Sequence, residues 1–167
     1  SASNNRLNWL DVDIQTDNGS KNGVELQNVF GTAKETNIYS GSGQAVVLGV
    51  GALVTFADSL LDVVGAKIAT VVNNSTLLLR GATCRNGQND ADGLDIAAGG
   101  VVYALETTFA MSTTAANTGF AIKGTAGAVL IHGLLTFFNN TPSNAVINNR
   151  VSTATTRIAA ATTLVPA

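Results

Sequence analysis

Short apolar runs rich in Val, Ile and Thr recur along the whole chain, and Asn, Gly or Ser interrupts them about every eight to twelve residues. Apolar and polar positions alternate within the runs, and the 3.6-residue period of an amphipathic helix is missing. β-branched residues of this kind pack well on a pleated sheet. The pattern therefore predicts an all-β protein built from many short strands.

The strand pattern repeats itself. In each copy a Thr followed by an aromatic residue or Cys is succeeded, after a polar linker, by a second apolar strand with Ile. The copies are Thr55-Phe56 with Ile68, Thr83-Cys84 with Ile96, Thr108-Phe109 with Ile122, and Thr136-Phe137 with Ile147. Their Thr residues lie 28, 25 and 28 positions apart. One such period corresponds to one solenoid turn. We therefore expect a right-handed parallel β-helix (β-solenoid) of about four to five coils of 25–28 residues.

Side chains on a strand point alternately to opposite faces, so the repeat also predicts rows of stacked residues. We expect one inner row of Phe56, Cys84, Phe109 and Phe137. We expect an outer row of Thr55, Thr83, Thr108 and Thr136, and a second inner row of Ile68, Ile96, Ile122 and Ile147. Each coil would bury its apolar face only by stacking on the next.

Three segments follow from where the repeat is regular. Residues 45–149 form the coils, and residues 1–44 form an N-terminal cap or an irregular first coil. In that first segment Asp13-Ile14 with Gly23-Val24-Glu25-Leu26 resembles a further copy. Residues 150–167, rich in Ala and Thr, form a C-terminal tail for capping or assembly.

The amino-acid composition limits the kinds of partner that the chain is expected to bind. Charged residues make up 12% of the chain and the net charge is −2, so the basic excess that binds nucleic acid is missing. No apolar run is long enough to span a bilayer, and we expect no membrane insertion. Cys84 is the only cysteine, which excludes a disulfide within the chain. Stability must come from packing or from oligomerisation.

The densest polar segment runs from Asn86 to Asp95. Asp90, Asp92 and Asp95 offer alternating oxygen ligands of the kind that hold Ca²⁺. However, Gly99 stands where an EF-hand loop would need Glu, so an ordinary turn rich in Asn and Asp is favoured. We therefore expect no cofactor, with Ca²⁺ as the alternative. Asn86, Asp90 and Asp92 are the candidates for contact with a receptor glycan.

Two acidic residues on neighbouring predicted strands are candidates for a catalytic role. Asp95 and Glu106 are the candidate catalytic pair, because two carboxylates about 5 to 9.5 Å apart cleave glycosidic bonds. Nothing in the sequence fixes their separation, so solvated surface acids and no enzymatic activity are favoured. The sole histidine, His132, is expected on the outer face of a strand or in a subunit contact. Trp9 and Tyr39 are candidates for stacking on sugar rings, with Trp9 as a core or subunit anchor the preferred alternative.

Coils of the type STLLLRGATCRNGQNDADGLDIAAGG and GAVLIHGLLTFFNN resemble the parallel β-helix of bacteriophage tailspikes and related tail fibres, over roughly residues 45–149. Pectate lyases and surface adhesins share the pattern. The resemblance implies a homotrimer on the virion surface, in contact with other virion proteins and with cell-surface glycan. No catalytic motif of the family has a matching position here. The expected function is a non-enzymatic structural or host-recognition component of a phage particle. A polysaccharide depolymerase and a bacterial surface adhesin are the alternatives.

Overall fold

The computed structural model describes residues 5–16, 21–64, 67–87, 92–111, 120–138 and 156–159, and this part of the chain consists of short strands joined by tight turns. It contains no helix of the length and apolarity needed to cross a membrane. The strands are β1 (Asn5–Leu10), β2 (Asp13–Thr16), β3 (Val24–Leu26), β4 (Val29–Lys34), β5 (Asn37–Ser40), β6 (Val46–Leu48), β7 (Leu53–Ala57), β8 (Leu60–Val63), β9 (Ala69–Val71), β10 (Thr76–Arg80), β11 (Thr83–Asn86), β12 (Leu94–Ile96), β13 (Val101–Leu105), β14 (Thr107–Met111), β15 (Ile122–Gly124), β16 (Val129–His132), β17 (Leu135–Phe138) and β18 (Thr156–Ala159).

Every third strand belongs to the same parallel sheet. The first sheet has the order β1-β4-β7-β10-β13-β16-β18, the second β2-β5-β8-β11-β14-β17 and the third β3-β6-β9-β12-β15. Each coil thus adds one strand to each sheet, and the coils stack into a β-solenoid of about five turns. This confirms the predicted parallel β-solenoid. The handedness of the coil and the number of chains in the assembly stay predictions.

Coil length changes along the solenoid. Leu53 lies beside Thr76, 23 positions later, whereas Val101 lies beside Val129, 28 positions later. The predicted period of 25–28 residues therefore describes the C-terminal coils, and the N-terminal coils are shorter. The difference falls in the turns between the second and third sheets, which absorb insertions because they lie outside the strand ladder.

One predicted inner row is present in the second sheet. Cys84, Phe109 and Phe137 are neighbours in register, and Thr83, Thr108 and Thr136 stack outside them. The rings of Phe109 and Phe137 stack with centroids 5.6 Å apart. The row continues toward the N-terminus through Leu61, Ile38 and Ile14.

The placement of Thr55 and Phe56 in these rows was wrong. Both lie on β7 in the first sheet, where Phe56 is fully buried between Ala33 and Leu79. Leu61, five residues later, occupies the predicted position beside Cys84. Strands of the first and second sheets show the same alternation of apolar and polar residues, so a Thr-Phe pair does not identify its sheet.

The predicted isoleucine row was also wrong in register. Ile122 lies beside Leu94, and Ile96 lies beside Gly124, two residues further along. Both isoleucines still face the core because a shift of two residues preserves the side of the strand. Ile68 is buried directly before β9, and Ile147 lies outside the described residues.

Strands before residue 45 lie in the same three sheets as the later ones. Ile14 pairs with Ile38 in the second sheet, and Val24 pairs with Val46 in the third, which confirms the further copy of the repeat. Strand β18 extends the first sheet by pairing with β16. The division of the chain into three functional segments stays a prediction.

Two corners of each of the first five coils are turned by residues with positive φ. Between the first and second sheets these are Asp11, Glu35, Asp58, Gly81 and Glu106, and between the third and first sheets they are Asn28, Gly51, Asn74, Gly99 and Gly127. Asp and Asn tolerate this left-handed conformation better than most residues do. At the first corner a buried hydroxyl follows the turn, and Ser59 Oγ donates to the Ala57 carbonyl over 2.7 Å.

Candidate functional site

The outer face of the second sheet carries a shallow groove of about 200 Å³ across the first three coils. It is lined by Asp13, Ile14, Gln15, Asn37, Ile38, Tyr39, Leu60 and Asp62. Alternate residues of β2, β5 and β8 face outward and parallel pairing aligns them across the coils, whereas Ile14 and Ile38 belong to the inner row between them. We call this surface the second-sheet groove.

An ion pair closes one end of the groove. Asp62 lies between Tyr39 and Arg85 in register, and its carboxylate accepts a hydrogen bond from the Arg85 guanidinium. The Asp62 residue is only 6% exposed, although it points away from the core. The hydrogen bond to Asp62, and then the negative charge of Asp62, raise the pKa of Arg85. Asp62 therefore contributes an ion-paired carboxylate to the wall of the groove, with Arg85 beside it in the next coil.

The other groove residues offer neutral and acidic hydrogen-bonding groups beside one aromatic ring. Asn37 Nδ2 donates to Asp13 Oδ1 over 2.7 Å, which fixes both side chains. Tyr39 is half-buried in the adjacent outer row, with its ring on the groove wall. A carboxylate and an amide bind hydroxyl groups, and a tyrosine ring packs against the apolar face of a sugar. The groove therefore presents hydrogen-bonding groups beside one aromatic ring.

Tyr39 and Trp9 do not lie in the same site. Trp9 occupies an inner register position of the first sheet beside Ala33, where it packs against the core. The core-anchor alternative for Trp9 is confirmed, and Tyr39 alone lines the groove. Sequence reasoning singled out Tyr39, but it did not find Asp13, Asn37 and Asp62, which belong to three different coils.

Asn86 and Asp92 take structural positions in the solenoid. Asn86 is 1% exposed in the second sheet, and its Nδ2 donates to the Asp92 carbonyl over 3.2 Å. Asp92 accepts the Phe120 amide hydrogen over 3.0 Å and the Lys123 ammonium over 2.8 Å. These contacts tie successive coils together. Asp90 lies outside the described residues.

Asp95 and Glu106 lie on different sides of the solenoid. Asp95 stands in the outer row of the third sheet, between Thr70 and Lys123, and forms an ion pair with Lys67. Glu106 turns the corner between the first and second sheets, with φ of 52°. The structure therefore does not bring the two predicted catalytic carboxylates into one site.

Lysine ammonium groups accompany the acids of the third sheet. Lys67 pairs with Asp95, and Lys123 pairs with Asp92, whose hydrogen bond and charge raise the pKa of Lys123. Within the described ranges, no three His, Cys, Asp or Glu side chains are grouped as a metal ion would require. Asp92 and Asp95 thus each have a lysine ammonium as an ion-pair partner.

The position of His132 differs from the predicted one. Its register partner is Ala104, a fully buried residue of the inner row in the first sheet, and His132 itself is only partly exposed. The prediction of an outer-face position was therefore wrong, because the apolar residues around His132 do not reveal which of them face inward. The ring Nδ1 lies 3.3 Å from the Gly133 carbonyl oxygen. Cys84 is fully buried, and burial raises the pKa of its thiol to about 12.

Comparison with known proteins adds no relative. No protein-family model matches the chain, and searches of curated proteins and of solved structures find no significant match. Any functional conclusion must therefore come from the solenoid and its surfaces.

Proposed function

We propose that this chain is a non-enzymatic structural or host-recognition component of a phage particle, such as a fibre, spike or capsid appendage. It would act as a homotrimer at the virion surface, attached to other virion proteins. The observation that carries the proposal is the unbroken stack of three parallel sheets, whose core runs through every described coil. Such a stack provides stiffness and a long regular surface, which are the physical needs of an appendage.

The second-sheet groove is the proposed recognition surface. Tyr39 would pack against a sugar ring while Asp13 and Asn37 bind its hydroxyl groups, so the receptor would be a cell-surface glycan. The groove lies on rigid strands, and binding would cost little ordering of the protein. Its shallow form suits a chain of sugars that lies along the solenoid.

The charge pairing supports binding over cleavage. Asp62, Asp92 and Asp95 each form an ion pair with a cationic side chain. A glycosidase needs two carboxyl groups that are free to flank one glycosidic bond, whereas these three carboxylates are engaged by cationic side chains of neighbouring coils. These three acids are therefore better suited to holding coils together than to proton transfer.

One observation favours a depolymerase as the second candidate. Asp13 and Asp62 both line the groove, on the first and third coils. Strands in a sheet are about 4.8 Å apart, so two spacings separate these backbones by roughly 9.6 Å along the solenoid axis. Asp13 is in register with Leu60, two residues before Asp62, so an offset of roughly 6.6 Å along the strand brings the separation of the two backbones to roughly 12 Å. The two side chains would have to lean toward each other to reach the carboxylate spacing of inverting glycosidases, at most about 9.5 Å.

A combined binding and cleavage assay tests the proposal. The protein is incubated with a panel of lipopolysaccharide and capsular glycans, and both bound glycan and released reducing ends are measured. We expect binding without release, a loss of at least about tenfold in affinity for Tyr39→Ala, and no change for Thr70→Ala on the third sheet. Release of reducing ends that disappears in Asp62→Asn would establish the depolymerase instead. Failure to bind any glycan would remove the recognition role.

A further inference from the structure

The outer face of the first sheet is largely apolar through the third to sixth coils, apart from the exposed Arg80 in the row nearest the second sheet. Its two outer rows nearest the third sheet contain only apolar residues, threonine and one tyrosine. The rows are Leu53, Thr76, Val101 and Val129, and beside them Thr55, Leu78, Tyr103 and Ile131. The second and third sheets differ, since their outer faces carry the ion pairs of Asp62 with Arg85 and of Lys67 with Asp95.

Exposed apolar side chains concentrate on the same face. In the described part of the chain six large apolar residues are exposed. Leu10, Phe30 and Leu53 lie on strands of the first sheet, and Leu53 is 50% exposed. Val50 and Leu134 flank this sheet in the adjoining turns, and Val64 alone follows a strand of the second sheet. A contiguous apolar surface of this kind marks an interaction site.

We propose that the outer face of the first sheet is the surface through which copies of this chain assemble, side by side and with parallel axes. The inference rests on the proposed homotrimer and assigns its interface. The strands form ridges on this face that are about 4.8 Å apart. In a parallel arrangement the ridges of a second copy have the same spacing and lie at the same levels along the solenoid axis. Apolar rows can then interdigitate along the whole stack, as in packed sheets.

The area of the face is sufficient for a specific contact. Seven strands span about six spacings of roughly 4.8 Å, and about five residues of each strand extend across the face, at roughly 3.3 Å per residue. The product is on the order of 500 Å² for each copy. Around a threefold axis each face is shared between two neighbours, so each pair of copies would bury on the order of 500 Å² and the whole trimer on the order of 1,500 Å², the size of a standard interface.

Charge at the two borders of the face favours the parallel arrangement. Arg6 lies at the border toward the third sheet, and Asp11 turns the opposite border, both in the first coil. Rotation about an axis parallel to the solenoid keeps equivalent coils at the same level along that axis. Arg6 of one copy therefore lies level with Asp11 of the next copy. An antiparallel pair would instead place the corner with Asp11, Glu35, Asp58 and Glu106 against itself, and Lys34, which pairs with Glu35, and Arg80 would offset part of this negative charge.

Cysteine cross-linking tests this geometry. The double variant Arg6→Cys with Asp11→Cys is oxidised and run on a non-reducing denaturing gel. Five residues of strand separate the two positions by roughly 17 Å within one chain, too far for an internal disulfide. Cys84 is fully buried and does not compete. We expect covalently joined chains, with a species of three chains as the largest product. The matched control pairs Arg6→Cys with Glu25→Cys, an exposed position of the third sheet in the same coil, and stays a single chain.

A charge inserted into the face provides the second test. Val101 and Val47 are both half-buried valines in outer rows, of the first and third sheets respectively. Sedimentation should show association weakened at least about tenfold in Val101→Lys and unchanged in Val47→Lys, because only the first buries an unpaired ammonium. If Val101→Lys loses its β-sheet circular dichroism, Leu53→Lys replaces it as the test. Leu53 is at an already exposed position, and Leu53→Lys should weaken association to the same extent.

The outcomes separate the interface from the proposed function. Cross-links in the Glu25→Cys control, or a trimer unaffected by Val101→Lys and Leu53→Lys, would overturn the assigned face and leave the trimer standing. A parallel dimer that dissociates in both variants would keep the face and contradict the trimer. A wild-type protein that sediments as a single chain would overturn both.

Discussion

Phe109 stacks on Phe137 one coil further along, with ring centroids 5.6 Å apart and planes inclined by 21°. Phe109 is fully buried, and Cys84 lies on its other side in the same inner row. The contact joins β14 to β17, so the core of the C-terminal coils depends on this row.

Truncation of Phe109 should destabilise the solenoid strongly. We expect Phe109→Ala to lower the free energy of unfolding by about 3–5 kcal/mol, because it removes buried apolar surface and leaves a cavity. Thr108→Ser, on the outer side of the same strand, should change it by less than about 0.5 kcal/mol. Urea titration followed by circular dichroism measures both. Equal effects of the two substitutions would contradict the assigned inner and outer rows.

Cys84 should be chemically silent until the chain unfolds. Its thiol is fully buried and its pKa is raised from 9.0 to about 12, so a maleimide added at pH 8 should label the protein only in urea. Labelling of the native protein at the rate of a free thiol would show that β11 is not packed as described.

The same thiol predicts a pH dependence of stability. Because the pKa is raised in the folded state, its contribution is fully present below pH 9.0 and is lost as the pH rises toward 12. The difference in unfolding free energy between the wild type and Cys84→Ala should therefore shrink across that range. Comparison of the two proteins cancels the titration of lysine and tyrosine. A constant difference would be inconsistent with a buried, protonated thiol.

The Asp62–Arg85 ion pair should contribute more to the free energy of unfolding than the exposed ion pair of Lys34 with Glu35. Asp62 is 6% exposed, whereas both side chains of the second pair are about half exposed. We expect Asp62→Asn to lower the unfolding free energy by about 1 kcal/mol, a value reduced by the exposure of Arg85. Glu35→Gln should change it by less than about 0.5 kcal/mol. Thermal unfolding at low and high salt compares the two. A larger effect at Glu35 would be evidence against the burial of Asp62.

Gly81 should resist substitution. It turns the corner between the first and second sheets at φ of 61°, and a Cβ there would lie 2.4 Å from Asp58 Oδ1. Gly81→Ala should therefore cost more than about 1 kcal/mol. At Gly87 the nearest atom to an added Cβ is 3.7 Å away, so Gly87→Ala serves as the control and should be nearly neutral. Similar chemical denaturation midpoints for both variants would argue against the strained corner.

The residue pattern predicted the architecture because strand alternation and a regular repeat are local properties. Thr83, Cys84, Thr108 and Phe109 fall in the predicted rows since their coils have nearly equal lengths and turns in equivalent places. Phe56 was placed in the wrong sheet because the first and second sheets share one alternation and the earlier coils are shorter. Local pattern alone does not distinguish the sheets of a solenoid.

The candidate site was much less predictable. Asp13, Asn37 and Asp62 come from three coils and meet only through the register of β2, β5 and β8. Asp92 and Asp95 looked like a free acidic cluster, but Lys67 and Lys123 from neighbouring coils pair with them. Contacts between coils are set by turn lengths, and a change of one residue reverses which side chains meet.

Native mass spectrometry of the wild-type protein tests the central claim most directly. A trimeric appendage requires a stable assembly of three chains, each of 17.0 kDa, that persists on dilution and dissociates together with unfolding. A mass of about three times that of one chain is the predicted result. A mass of one chain across the same concentrations would contradict the proposed trimeric virion component.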